Sequence, residues 1–239
     1  MWAGTNWAGT NIVVLDLEIL QHPQALSTGW GDKKALGLSI GAYLDLQDGR
    51  VHWFDQPSLQ TTISQLLLQQ PLIISFNGRI FDAAVMAACA GLSGESLVAW
   101  QALWDNSYDI LHEIWAVTGR DFAKGNSLDA LCTHNVLGKK LDGMTGAQAP
   151  TLWQQGHIAT VCNYCQNDVY LTLALAQCIA RGHGRLERPA GEVYIRHVAV
   201  EEGAQVSVYP PGRVRTTHRR PEDTHVYIAD ASGPKERRP

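Results

Sequence analysis

Three short runs in the chain carry residues whose types and spacing could do metal-assisted chemistry. In VVLDLEIL, Asp16 and Glu18 stand two residues apart inside an apolar stretch. Strand side chains alternate faces, so both acids point one way and Leu17 the other. Two like charges on one face of a buried strand are unfavourable unless a cation neutralises them. The plainer alternative is a strand end whose acids face water. In SFNGRIFD, Asp82 falls where a helix begins, a place where aspartate also serves as an N-cap. In NYCQNDVYL, Tyr164 and Asp168 are four apart and so share a helix face that is otherwise apolar, where aspartate is uncommon. A surface pair is the alternative there. Carboxylates from separate segments are hard oxygen ligands suited to Mg²⁺ or Mn²⁺. Accidental convergence of all four acids is much less expected than a structural role for any one.

The elements that must position them read as an alternation of strands and helices. A first strand covers about Asn11 to Leu17. Leu36 to Leu44 and Val51 to Phe54 flank Asp48-Gly49, a hairpin signal, giving an antiparallel meander. Ser58 opens a helix with Leu59, Ile63, Leu66 and Leu67 on a helical period, and Pro71 ends it. Leu72 to Phe76 reads as a buried parallel strand, followed from Asp82 by a small-residue helix. Helices are expected from Asp109 to Val117 and after Ser127. Gly138 to Pro150 reads as a loop, and Ile158 to Ile179 is the longest helical pattern, with Val161, Tyr164, Asp168, Leu171 and Leu175 on one face. Short alternating runs follow at Glu192 to Val200, Gln205 to Tyr209 and His225 to Ala229, with an arginine-rich stretch from Arg213 to Arg220 and an unstructured end from Gly233 to Pro239.

A chain of 239 residues holds one ample domain or one with an appendage. With 45% hydrophobic and 18% charged residues, a packed core is expected rather than disorder. The net charge of −4 gives no general basic footprint for nucleic acid, although enzymes that hold metal on carboxylates can be acidic overall. Residues 186–239 have nine Lys/Arg against eight Asp/Glu, and the preceding residues ten against fifteen, so the acidic excess lies in the body with the candidate site. Five cysteines, an odd number in a chain too large to need disulfides, fit a reducing, cytoplasmic setting. No signal peptide is evident, and no apolar run reaches the roughly 20 residues of a membrane span.

In this order and setting, the three runs resemble the DEDD exonucleases of the ribonuclease-H-like superfamily, and in particular predicted bacterial polymerase-B-like 3′–5′ exonucleases. The motifs are D-x-E at Asp16 and Glu18, N-x-x-x-F-D at Asn77, Phe81 and Asp82, and Y-x-x-x-D at Tyr164 and Asp168. The last is the tyrosine branch; the histidine branch needs histidine where Asn163 stands. The resemblance spans about residues 11 to 181. The pattern of Leu128, Leu131, Leu137-Gly138 and Lys140 is also similar to the helical region of such enzymes. One departure is Ile19, where threonine is frequent, which touches contacts to the substrate end and not the metal ligands.

The resemblance implies an α/β fold with a mixed central sheet, an antiparallel meander plus parallel strands, flanked by helices; the alternating runs beyond it read as an extension of short strands. It implies an exonuclease domain at 11–185, outside which the chain reads as an arm at 1–10 and an extension of unknown role at 186–239. It implies hydrolysis of phosphodiester bonds at single-stranded 3′ ends with release of nucleoside monophosphates, DNA slightly ahead of RNA, using two Mg²⁺ or Mn²⁺ ions. Asp16 would bridge both ions, Glu18 and Asp168 would hold the one that activates water, and Asp82 would support the other. Tyr164 would orient the water. Leu17, Ile19, Asn77 and Phe81 would contact substrate. The other reading is a nucleic-acid-binding or scaffold domain serving a helicase or polymerase, with the C-terminal extension as a docking segment for a protein partner.

Other signals are weaker. Cys162-x-x-Cys165, with Cys132 and His134, lacks ordinary zinc spacing. His157 reads as a surface residue. One or two of the eight tryptophans could stack on bases, though most are expected in the core. Lys139 and Lys140 fit a solvated loop better than a phosphate contact. Arg213, Arg215, Arg219 and Arg220 suit nucleic acid or a partner equally. The duplicated WAGTN at residues 2–6 and 7–11 is too short for a repeat architecture.

Overall fold

The alternation of apolar residues along the first strand determines how the two helical layers attach. In the computed structural model, which describes residues 7–119, 125–141, 144–201 and 205–210, β1 (Ile12–Ile19) lies at the centre of a five-stranded sheet. It pairs antiparallel with β2 (Leu38–Asp45), which pairs antiparallel with β3 (Arg50–Phe54). On its other side β4 (Leu72–Ser75) runs parallel, and β5 (Tyr108–Asp109) runs parallel beyond that. The order is β3-β2-β1-β4-β5. This is the mixed α/β architecture expected of a ribonuclease-H-like fold.

Ile12 and Val14 face one way, into a core built with Val161, Cys165, Val169 and Leu175 of the long helix α8 (Ile158–Arg181). Val13, Leu15, Leu17 and Ile19 face the other way. They meet α2 (Leu59–Gln69), α3 (Asp82–Ala90) and α4 (Gly94–Asp105) through Leu66, Met86 and Trp100. Both layers are tightly closed to solvent, and truncating a wholly buried side chain such as Leu66 or Leu175 to alanine costs about 2–5 kcal/mol. The α1 turn (Lys33–Leu36) lies in the β1–β2 connection, α5 (Ile110–Thr118) follows β5, and α6 (Leu128–His134) and α7 (Ala149–Gln154) precede α8.

Several elements depart from the sequence expectations. The first strand continues to Ile19, with a register shift between Glu18 and Ile19, so Glu18 lies inside it. Tyr108 and Asp109 form an edge strand before the helix expected from Asp109. α4 is absent from the sequence expectations, although Leu97, Trp100 and Trp104 carry a helical spacing behind a Ser93 capping box. The run from Glu192 to Val200 divides into β7 (Val193–Tyr194), paired with β6 (Arg185–Leu186), and β8 (His197–Val200), paired with β9 (Val206–Tyr209).

This C-terminal segment is seated on the body. Leu186, Ile195 and Val198 are buried in the α8-side core, and Arg196 makes a two-pronged ion pair with buried Glu113 of α5. Tyr108 Oη donates to the Arg196 carbonyl at 2.6 Å. Residues 1–6 of the arm expected at 1–10, the run from His225 to Ala229, the arginine stretch from Arg213 to Arg220 and the end from Gly233 to Pro239 lie outside the described residues, whereas Trp7 of that arm is buried in the α8-side core. No helix among the described residues is long and apolar enough to cross a membrane.

Candidate active site

Asp16 and Glu18 continue the face of β1 that begins with Ile12 and Val14, so they point towards α8 just beyond the apolar core. α8 crosses this end of the strand closely: Cys165 Sγ donates to the Asp16 carbonyl at 3.5 Å. Beside that crossing, Tyr164 and Asp168 face the strand. Carboxylate oxygens of Asp16, Glu18 and Asp168 all lie within 4.8 Å of one another. Tyr164 is 1% and Asp168 4% exposed, which excludes the surface-pair alternative. The water-facing alternative for the first motif fails for Glu18, which is 6% exposed, while Asp16 is half-buried and lines a cleft.

Asp82 lines the same cleft from the start of α3 and is 4% exposed, but its carboxylate is outside the three-acid group. Phe81 occupies the N-cap position and no side chain caps this helix, so Asp82 is not held there as a cap. The cleft, about 450 Å³, is also bordered by Leu17, Ile19, Asn77 and Phe81. Leu17 and Ile19 bury their side chains in the opposite layer and form the cleft floor.

The loop before Asp82 is fixed by a residue that the sequence presents only as a helix start. Asp109 is 1% exposed. Its Oδ1 accepts from the Asn77 amide at 3.0 Å and the His112 amide at 3.2 Å. Its Oδ2 accepts from the Arg79 amide at 2.8 Å and the Ser75 hydroxyl at 3.3 Å. These bonds hold Asn77 in the left-handed region, φ 69°, which asparagine tolerates better than most residues. Gly78 is required beside it, since a Cβ there would stand 2.6 Å from Ser75 Cβ and 2.7 Å from Asp82 Oδ2.

Lys140 belongs to the family-like pattern, but its place in the acid cluster is what sequence reasoning misses. A solvated loop is the sequence expectation, but the ammonium enters the cleft, pairs with Asp168 and donates to Tyr164 Oη at 2.7 Å. Its own amide donates to Asp129 Oδ1 of α6 at 2.7 Å, which anchors the loop. The cation also lies 4.8 Å from the centre of the Tyr164 ring. Its neighbours Lys139 and Leu141 give no sign of this burial, since a lysine pair beside glycine has the composition of a surface loop.

One cation does not balance this cluster. Asp16 Oδ2 and Asp168 Oδ1 are buried and have no hydrogen-bond partner among the described residues. Burial, and then the neighbouring Asp168 charge, push Asp16 up to about 8. Burial and the other acids raise Glu18 and Asp82 well above the usual carboxylate range. Asp168 is raised by burial despite its ion pair, and the Tyr164 phenol is raised by burial and then by Asp168. Each shift has the same origin: negative charge gathered out of water.

These buried, unpartnered oxygens, offered by an all-oxygen donor set, fit a hard divalent cation. A second group, Asp45, Asp48 and His52, differs because its acids are already engaged by the Gln47 amide, the Arg50 amide and His52 in an exposed hairpin. Cys132, Cys162, Cys165 and His134 form no metal-type group among the described residues, and His157 is the exposed N-cap of α8.

Residues 49–199 match the family described as a predicted 3′–5′ exonuclease related to the exonuclease domain of PolB. The chain belongs to this family. Asp82, Lys140, Tyr164 and Asp168 fall inside the matched stretch of the exonuclease, and Asp16 and Glu18 precede it. No curated protein matches the chain. Family membership makes it a nuclease acting on nucleic acid.

Proposed function

We propose that this exonuclease is of the tyrosine DEDD type, removing nucleotides from single-stranded 3′ ends with two divalent cations, Mg²⁺ or Mn²⁺. The observation that carries the reading is the pair of buried, unpartnered oxygens on Asp16 and Asp168, from elements far apart in the chain, in one cluster with Glu18 beside them. Asp16, Glu18 and Asp168 would hold one cation, and Asp16 with Asp82 the other. Bound there, such ions lower the pKa of water and neutralise charge developing on phosphate and leaving oxygen.

The chain's own residues supply the rest. Tyr164 presents its hydroxyl at the carboxylates and, with its ionisation raised, stays protonated to donate to or orient the attacking water. Lys140 fixes both the hydroxyl and Asp168, so neither swings when substrate enters. Asn77 and Phe81 border the path to Asp82 and would position the terminal nucleotide. DNA ranks slightly ahead of RNA as substrate, a cytoplasmic setting suits the free cysteines, and the domain at 11–185 carries the chemistry.

The test is a time course with 3′- and 5′-labelled DNA and RNA oligonucleotides in Mg²⁺, Mn²⁺ or EDTA. Stepwise mononucleotide release from the 3′ end, lost in EDTA, supports the proposal. Binding without cleavage in any metal overturns it in favour of a scaffold domain.

A further inference from the structure

Of the tryptophans among the described residues, Trp30 is the most exposed, at 56%, and it lines the carboxylate cleft. A single exposed apolar side chain is ordinary on a protein surface. Trp30 differs in being held in place and in what it faces. Lys33 Nζ donates to the Trp30 carbonyl at 2.8 Å, and Asp32 caps the α1 turn by accepting from the Ala35 amide at 2.9 Å. The indole meets the Phe81 ring edge to face, with centroids 5.6 Å apart and planes at 68°. Lys33 Nζ sits 4.8 Å from the centre of that same Phe81 ring.

Phe81 immediately precedes Asp82, so this aromatic corner adjoins the acid side of the cleft. The cleft therefore has two chemically distinct kinds of lining. One gathers Asp16, Glu18, Asp168 and Lys140; the other offers two steeply inclined rings. A ligand matching both has a phosphodiester close to a flat, largely apolar ring, which describes a nucleotide with its base unpaired. A base within a duplex has its faces covered by neighbours and cannot lie on an indole without unstacking.

We propose that Trp30 is a base-stacking residue, taking the face of one of the last three bases of an unpaired 3′ end, with Phe81 as the side wall. This rests on the exonuclease reading and adds how the enzyme selects single strands with tolerance of sequence, since every base presents a π-face. No hydrogen bond joins Trp30 to a carboxylate among the described residues, so it acts on substrate position and affinity.

The experiment compares wild type, Trp30→Ala and Trp30→Phe on single-stranded oligonucleotides with an abasic site at each of the last three positions. Trp30→Ala should raise KM about tenfold while kcat stays within about twofold, and Trp30→Phe should keep most of the affinity. At one position the abasic site should raise the wild-type KM similarly and add nothing in Trp30→Ala. A wild-type KM in Trp30→Ala, or equal abasic sensitivity of both proteins at all three positions, overturns the proposal. If wild type releases no nucleotide, the exonuclease reading fails separately. Anisotropy of a labelled oligonucleotide in Ca²⁺ then decides the stacking role: weaker binding by Trp30→Ala supports it, and equal binding overturns it.

Discussion

Asp16 and Asp109 are both aspartates towards the carboxyl ends of sheet strands, each with a carboxylate oxygen out of reach of water, and they do opposite things. Asp109 accepts four hydrogen bonds, three of them from backbone amides, and together they fix the loop that leads to Asp82. Asp16 has an oxygen with no partner among the described residues, two acids with oxygens within 4.8 Å, and a pKa driven up to about 8. Asp109 is the more buried of the two, 1% exposed against a half-buried Asp16, so depth does not account for the unpartnered oxygen of Asp16. What separates them is satisfaction: a carboxylate surrounded by donors is a structural node, and one surrounded by carboxylates is suited to a cation.

That contrast can be broken by substitution. Asp16→Asn should lower nuclease activity on the order of a thousandfold or more, the scale seen when one member of a catalytic unit is removed. The same change should raise the metal-free Tm by about 2–4 °C, because an amide relieves charge crowding. Asp109→Ala should do the reverse in stability. It leaves the Asn77, Arg79 and His112 amides without their buried acceptor, at a cost of about 3 kcal/mol read from urea unfolding. If Asp16→Asn destabilised as much as Asp109→Ala, the distinction would be wrong.

Lys140→Ala should lower kcat about 10- to 100-fold with a smaller change in KM, and Lys140→Arg should restore part of it, as for groups that orient metal ligands. Smallest in size is the pH effect. The folded-state pKa of Asp16 is raised from 3.8 to about 8, so its stabilising contribution is complete below about pH 4 and is lost as pH rises through about 8. In EDTA the Tm should therefore fall from pH 5 to pH 9, less so in Asp16→Asn, and added Mg²⁺ should flatten the slope. A metal-free Tm that rose over this range would contradict the charge crowding.

Much of the site was legible because local periodicity carried it. The two-residue spacing of Asp16 and Glu18 set their common face, and the four-residue spacing of Tyr164 and Asp168 set theirs. The meander, the parallel strand and the long helix followed from the same signals. The roles of Asp109 and Lys140 were not legible for a different reason. The Asp109 partners lie 30 to 34 residues away, apart from His112, and three of the four are backbone amides, which leave no trace in side-chain identity. Lys140 lies in a loop rich in glycine and lysine, and its contacts with Tyr164 and Asp168 arise from the tertiary path of that loop. The acid cluster could be read from the chain, whereas the groups that tune it depend on long-range packing.

The most direct test of the central claim is calorimetric titration of Mn²⁺ into the metal-free protein and into Asp16→Asn, with circular dichroism to verify that both are folded. Saturable binding by the wild-type chain, lost or weakened at least about tenfold in the variant, is the result this account predicts. Equal binding by the two proteins, or none by the wild type, would contradict it.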